Sequence, residues 1–70
     1  MEQWWCFQIN GESRSVRPVA NVTQLIQELG LPTERIAVEV NRRIVRRADW
    51  DETALHDRDR IEIVQFVGGG

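Results

Sequence analysis

From Trp4 to Asn10 the chain alternates: Trp5, Phe7 and Ile9 fall on one side, Trp4, Cys6 and Gln8 on the other. That is the period of a strand with one face buried. Asn10-Gly11 comes next; both residue types tolerate positive φ, so the pair predicts a tight hairpin. Glu12 to Arg17 returns as a second strand with Val16 inward, and Pro18, which cannot donate to a ladder, ends it. The period then changes. Val22, Leu25, Ile26 and Leu29 form a single helical stripe. Asn21 precedes them as an N-cap whose side chain accepts from the orphan N–H groups of the first turn. Gly30 follows as a left-handed stop, and Pro32 blocks continuation. A helix of about nine residues is marginal alone in water, so it must dock on the sheet.

Ile36 to Asn41 reads as a third strand, and its near-continuous apolar character predicts a place inside the sheet. Asn41-Arg42-Arg43 turns the chain into a short fourth strand, Ile44 to Arg46. Ala48 to Leu55 is a loop or single turn anchored by Trp50 and Leu55; His56-Asp57-Arg58-Asp59 is a polar turn; Arg60 to Val67 is the last strand. A hairpin, one helix and three further strands predict an α+β layer fold, a mixed four- to five-stranded sheet over one main helix. Ile61 and Ile63 face that helix, and Val64 and Phe66 face the other side, where no second helix exists. Adjacent apolar groups left bare in this way mark a partner surface. The competing arrangement has a loop residue, Trp50 above all, covering them.

Seventy residues make one domain, and a chain of this size buries only about 60% of its unfolded surface. With one cysteine, Cys6, and one histidine, His56, neither an internal disulfide nor a Cys/His metal cluster can be assembled. Apolar packing must hold the fold. No apolar run reaches the roughly 18 residues of a membrane span, and no basic segment leads into an apolar stretch at the start. The expectation is a soluble cytoplasmic protein without membrane contact. Net charge is −2, which does not favour nucleic-acid binding. All nine basic residues are arginine, so no lysine side chain is available to accept an acyl group.

The sequence ends on Gly68-Gly69-Gly70, directly after the apolar run Ile61 to Val67. The expected organisation is a single domain over 1–67 and a flexible reactive tail over 68–70. A glycine arm has no Cβ and can enter a narrow channel, and Val67 to Gly70 would reach about 13 Å when extended. Such an arm offers a main-chain carboxylate to another protein's active site; the alternative is a frayed end. Among the other reactive types, Cys6 reads as a small structural hydrophobe and His56 as a surface turn residue. The carboxylates Asp49, Asp51, Glu52, Asp57 and Asp59 lack the spacing and central glycine of a calcium loop, so no metal is expected. Arg42, Arg43, Arg46 and Arg47 form either a solvated hairpin or a docking patch for acidic groups, to which arginine binds bidentately.

Val40-Asn41-Arg42-Arg43-Ile44-Val45-Arg46-Arg47, Trp50, Leu55-His56-Asp57-Arg58-Asp59 and Ile61-Glu62-Ile63-Val64, running into Val67-Gly68-Gly69-Gly70, resemble the bacterial ThiS family over nearly the whole chain. That resemblance implies a ubiquitin-like β-grasp fold and a sulfur carrier of thiamine thiazole synthesis, which is a recycled co-substrate and not an enzyme. It implies that a ThiF-type adenylyltransferase uses ATP and Mg²⁺ to adenylate Gly70, with no cofactor bound by the carrier itself. A cysteine desulfurase or sulfurtransferase then supplies sulfur, and a ThiG-type thiazole synthase takes it from the Gly70 thiocarboxylate. Gly68 and Gly69 would thread the tail; Val64, Phe66, Val67, Arg42 and Arg43 are the expected partner-binding residues. The sequence departs from the family pattern at Arg46, where proline is usual, and at Arg58, where glycine is usual and a positive φ would strain any other residue. Paired Trp4-Trp5 is also unusual, with Trp5 expected in the core and Trp4 at the surface. Two other functions share these features: a molybdopterin-synthase small-subunit-like carrier, and a β-grasp interaction module with no carrier chemistry.

Overall fold

The computed structural model describes residues 3–66. Strand β1 (Trp5–Ile9) pairs antiparallel with β2 (Glu12–Val16) through the Asn10-Gly11 turn, where both residues have positive φ (52° and 82°). Helix α1 (Val22–Leu29) follows. Asn21 Oδ1 accepts the Gln24 N–H at 2.9 Å, and Gly30 ends the helix at φ 70° with its N–H on the Gln27 carbonyl. Then come β3 (Ile36–Val40), β4 (Arg43–Val45), a 3-10 helix over Arg47–Glu52, and β5 (Arg60–Gln65).

The strand order is β2-β1-β5-β3-β4. The last strand therefore lies at the centre, parallel to β1 and antiparallel to β3. Strand β3 is interior, as its apolar run predicts, but only one of its faces is covered: Ile36, Val38 and Val40 are buried while Ala37 is exposed. Phe7, Ile9, Val22, Leu25, Ile26, Val38, Trp50, Leu55 and Ile61 make up most of the core between the sheet and α1. Trp5 packs on its margin, edge-on to Phe7 with ring centroids 6.1 Å apart, and Trp4 is exposed. The Trp50 indole N–H donates to the Val45 carbonyl at 3.3 Å, which joins the 3-10 helix to β4. The Thr23 hydroxyl donates to the Asp51 carboxylate, fastening that helix to α1.

The fourth strand corrects the sequence expectation. Val40 pairs directly with Arg43, so the turn holds two residues, Asn41 and Arg42, and β4 starts at Arg43 instead of Ile44. Both turn residues have positive φ (51° and 69°), the geometry whose twist matches that of the flanking strands.

Two asparagines pin the central strand. Asn10 accepts the Ile63 N–H on Oδ1 at 2.7 Å and donates Nδ2 to the Ile63 carbonyl at 3.0 Å. Its side chain thus continues the β1–β5 ladder past the point where the β1 backbone turns away. Asn41 does the same at the start of β5, accepting from the Arg60 N–H at 2.9 Å and donating to Asp59 Oδ1 at 3.1 Å. Replacing Asn10 by Ala removes both contacts and puts a Cβ-bearing residue without a compensating polar group at φ 52°. Net hydrogen bonds contribute about 1 kcal/mol each, so Asn10→Ala is expected to cost about 2–3 kcal/mol in urea unfolding. A loss below about 0.5 kcal/mol would remove the clamp from the account.

Candidate functional site

Among the described residues, those expected to bind a partner lie on the last strand and just after it, and on the β3–β4 hairpin. At the C-terminal end, the Phe66 N–H donates to the Arg35 carbonyl at 2.9 Å, so the backbone is held as far as the last described residue. Beside it lies a concavity of about 410 Å³ lined by Pro32, Glu34, Arg35, Gln65 and Phe66. Val67, Gly68, Gly69 and Gly70 lie outside the described residues, so the expected tail-threading, docking and reacting roles fall beyond the site geometry.

Sheet parity decides the rest. Val38 pairs with Ile63 and Val40 with Ile61; Ile61 is buried and Ile63 is packed against the core, so both face α1 as expected. Ala37 pairs with Val64 and Glu39 with Glu62 on the opposite face, which no helix covers. Val64 is 57% exposed and Phe66 50%, while Trp50 is 3% exposed inside the core. Trp50 therefore does not cover them, and of the two arrangements open in the sequence the bare apolar surface is the one realised.

Sequence reasoning missed Ile44. At 77% it is the most exposed large apolar side chain of those described, and it stands opposite Glu39 on the same bare face. The signal was the turn length: a three-residue turn leaves the face of β4 undefined, whereas a two-residue turn puts Ile44 outward. Glu39 and Glu62, directly opposed across β3 and β5, lie between Ile44 and Val64. Like charges so placed repel, and water screens that repulsion more than an apolar partner would.

Arg42 and Arg43 do not act as a unit. Arg43 shares the side of Val40 and lines a concavity with Ile44, Val45 and Asp49. Arg42 lines a different one, of about 300 Å³, with Asn41, Arg58 and Arg60. Arg60, which shares that concavity, sits about 20 Å from Phe66 along β5, at roughly 3.3 Å per residue. Arg46 pairs with Asp49 at 3.4 Å, and the Arg47 guanidinium lies over the Trp50 ring at 6.0 Å while donating to the Thr33 hydroxyl. Both have local partners, so the four-arginine cluster of the sequence is divided among three surroundings.

Cys6 departs from its expected role. It lies on the bare face of β1 and is exposed, because the alternation that buries Phe7 turns Cys6 away from α1. His56 is exposed in its turn, as expected. Arg58 has φ 74°, the positive value expected at a position where glycine is the relaxed choice. Among the described residues no group of three or more His, Cys, Asp or Glu side chains could hold a metal ion, and no helix is long and apolar enough to cross a membrane.

The model of the ThiS family matches residues 7–70, which takes in all of the sheet but the first two residues of β1, the helix and all three terminal glycines. The chain belongs to the ThiS family. The sulfur carrier protein ThiS of Bacillus subtilis is 36% identical over 64 residues, covering 90% of this chain and 97% of that one. The crystal structure of the thiamine biosynthesis protein ThiS from Geobacter metallireducens superimposes with a TM-score of 0.80 at 32% identity, over 93% of this chain and 99% of its own. The ubiquitin-like β-grasp fold of the ThiS family is therefore the fold of this chain. A thiazole synthase of Paramagnetospirillum magneticum is 42% identical over 62 residues, 89% of this chain. The chain spans 19% of that synthase's length, so a ThiS-like segment there belongs to a longer polypeptide.

Proposed function

We propose that the chain is a sulfur carrier of thiamine biosynthesis that offers the carboxylate of Gly70 as its reacting group. A single observation supports this most: the family model matches residues 7–70, a range that ends on the last of the three glycines. The same match favours the thiamine carrier over a molybdopterin-synthase subunit or an inert β-grasp module.

The α-carboxyl group of an unstructured peptide ionises with a pKa of about 3.3–3.7, so near neutrality a terminal carboxylate is an anion with no leaving group. An adenylyltransferase of the ThiF type would transfer AMP from ATP to a carboxylate oxygen, releasing pyrophosphate. A persulfide on a desulfurase or sulfurtransferase then attacks the acyl carbon, and AMP departs with that oxygen. Cleavage of the S–S bond by a thiol leaves the thiocarboxylate. A ThiG-type thiazole synthase takes the sulfur, and water restores the carboxylate. ATP and Mg²⁺ belong to the adenylating enzyme. The chain itself catalyses nothing in this sequence of steps: it positions an acyl group, and binding energy from its body is spent far from the reacting carbon.

The bare face of the sheet suits that role. Phe66 and Val64 stand next to the residues that lead into the glycines and are half exposed or more. Phe66→Ala is expected to weaken affinity for the adenylating enzyme and the synthase by about tenfold, as loss of an aromatic anchor does, without moving the unfolding midpoint. Unchanged affinity for both partners, measured by calorimetry, would remove Phe66 from the docking face. The function itself is tested by reconstituted thiazole formation with the loaded chain as the only sulfur source. One product per loaded chain is the expected yield, and thiazole formed equally well without the chain would refute the reading.

A further inference from the structure

The turn after the 3-10 helix and the β3–β4 turn meet at the start of β5, and their charges sort by what the backbone needs. Asp57 Oδ1 accepts the Cys6 N–H at 2.7 Å, and Asp59 accepts from the His56 N–H at 2.8 Å and the Asn41 amide at 3.1 Å. Both carboxylates are thus committed to holding the turns. Arg42, Arg58 and Arg60 have no ion pair among the described residues, and together they line a single concavity of about 300 Å³. A second concavity of about 410 Å³, lined by Cys6, Gln8, Ser13 and again Arg58 and Arg60, adjoins it. In a chain with net charge −2, this end of the molecule presents three arginines against two carboxylates, Asp57 and Asp59, whose oxygens are turned to backbone and amide donors.

Backbone strain points the same way. The molecule contains its own control: the Asn10-Gly11 hairpin has glycine at its second positive-φ position (82°), whereas the matching position of the Asn41-Arg42 hairpin has arginine (69°). Arg58 repeats the choice at φ 74°. Glycine adopts these angles at no steric cost and arginine does not. Two arginines at positive φ from two separate turns thus line the same concavity, while the third, Arg35 at 61°, lies beside Phe66; such strain clusters at functional surfaces.

We infer that Arg42, Arg58 and Arg60 form a docking site for an acidic segment of the enzyme that activates Gly70. This deepens the carrier reading and rests on it. The two joined concavities are shallow and open, so a small anion would remain hydrated and screened there. An extended row of carboxylates spans both concavities and takes up the bidentate geometry that guanidinium groups offer. The site lies at the opposite end of β5 from the glycines, about 20 Å from Phe66. A contact there and another at Phe66 fix the orientation of the body along the strand that leads to the reacting carbon.

The test is steady-state sulfur loading by the activating enzyme, with carrier concentration varied, for the parent, the triple variant Arg42→Gln/Arg58→Gln/Arg60→Gln, and the control Arg14→Gln. The triple variant is expected to raise KM about tenfold at low salt with kcat unchanged, and the gap to close near 0.5 M salt. Arg14→Gln is expected to match the parent. In parallel, Arg42→Gly/Arg58→Gly is expected to keep its Tm within about 5 °C of the parent's while showing the same rise in KM, which separates lost docking from lost folding. A parent that loads normally alongside a triple variant with equal KM and equal salt dependence overturns the site and leaves the carrier reading intact. A parent that is never loaded overturns both. Inorganic pyrophosphate bound by the parent and not by the triple variant, with KM for loading unchanged, would reassign the site to a phosphate ligand and overturn the protein partner.

Discussion

One residue added beyond Gly70 should abolish sulfur loading while leaving the unfolding curve of the chain unchanged. The reason is chemical before it is structural. Adenylation needs an ionised oxygen on the acyl carbon of Gly70; an added residue turns that carbon into an amide, which has no free oxygen nucleophile and no leaving group. The new terminal carboxylate is displaced by about 3.5 Å and carries a Cβ unless the addition is glycine. A displacement of about 1 Å is already enough to cost about a hundredfold in rate when reacting groups must be aligned. The expected loss is therefore complete with an added alanine and nearly complete with an added glycine. The core between β1, β5 and α1 is assembled by residues between Phe7 and Ile61, so urea unfolding should superimpose on the parent's. Retained loading of the extended chain, with no trimming visible by mass, would place the reacting group elsewhere.

The second large effect is on the fold. Phe7→Ala is expected to destabilise the chain by about 3–5 kcal/mol, as deletion of a fully buried aromatic does. Phe7 is completely buried, and its ring meets Trp5 edge-on on the strand that pairs with β5. A domain of this length has roughly 4–10 kcal/mol of stability in total, so the variant should be partly or wholly unfolded at 37 °C. With fewer folded bodies to dock, loading should fall in proportion to the folded fraction read by circular dichroism. A loss under about 1 kcal/mol would mean the ring is not the keystone that its burial implies.

How much of this was legible in the sequence depends on whether the cause was local. Asn10-Gly11, the Asn21 cap, the Val22–Leu29 stripe and Gly30 each follow from a few neighbouring residues, and each stands where the pattern puts it. The bare side of β5 was legible too, since parity alone sends Val64 and Phe66 away from Ile61 and Ile63. The central place of β5 is not local: it depends on parallel pairing with β1, more than fifty residues away, and no short pattern encodes that. For the same reason Asn10 reads as a turn residue and hides its clamp on Ile63. The position of Arg58 was marked by a departure from the family pattern, yet its meeting with Arg42 needed the fold. Ile44 and Cys6 were missed because each depends on which face is uncovered, and that is fixed by a turn one residue shorter than expected and by the side of the sheet on which α1 packs.

Intact mass spectrometry of the chain after incubation with ATP, Mg²⁺, the adenylating enzyme and a persulfide donor reads the central claim directly. A gain equal to the replacement of one oxygen by sulfur, located on Gly70 by fragmentation and reversed when thiazole synthase and its substrates are added, is the predicted result. An unchanged mass with competent partners present, or sulfur found on Cys6 in place of Gly70, would contradict it.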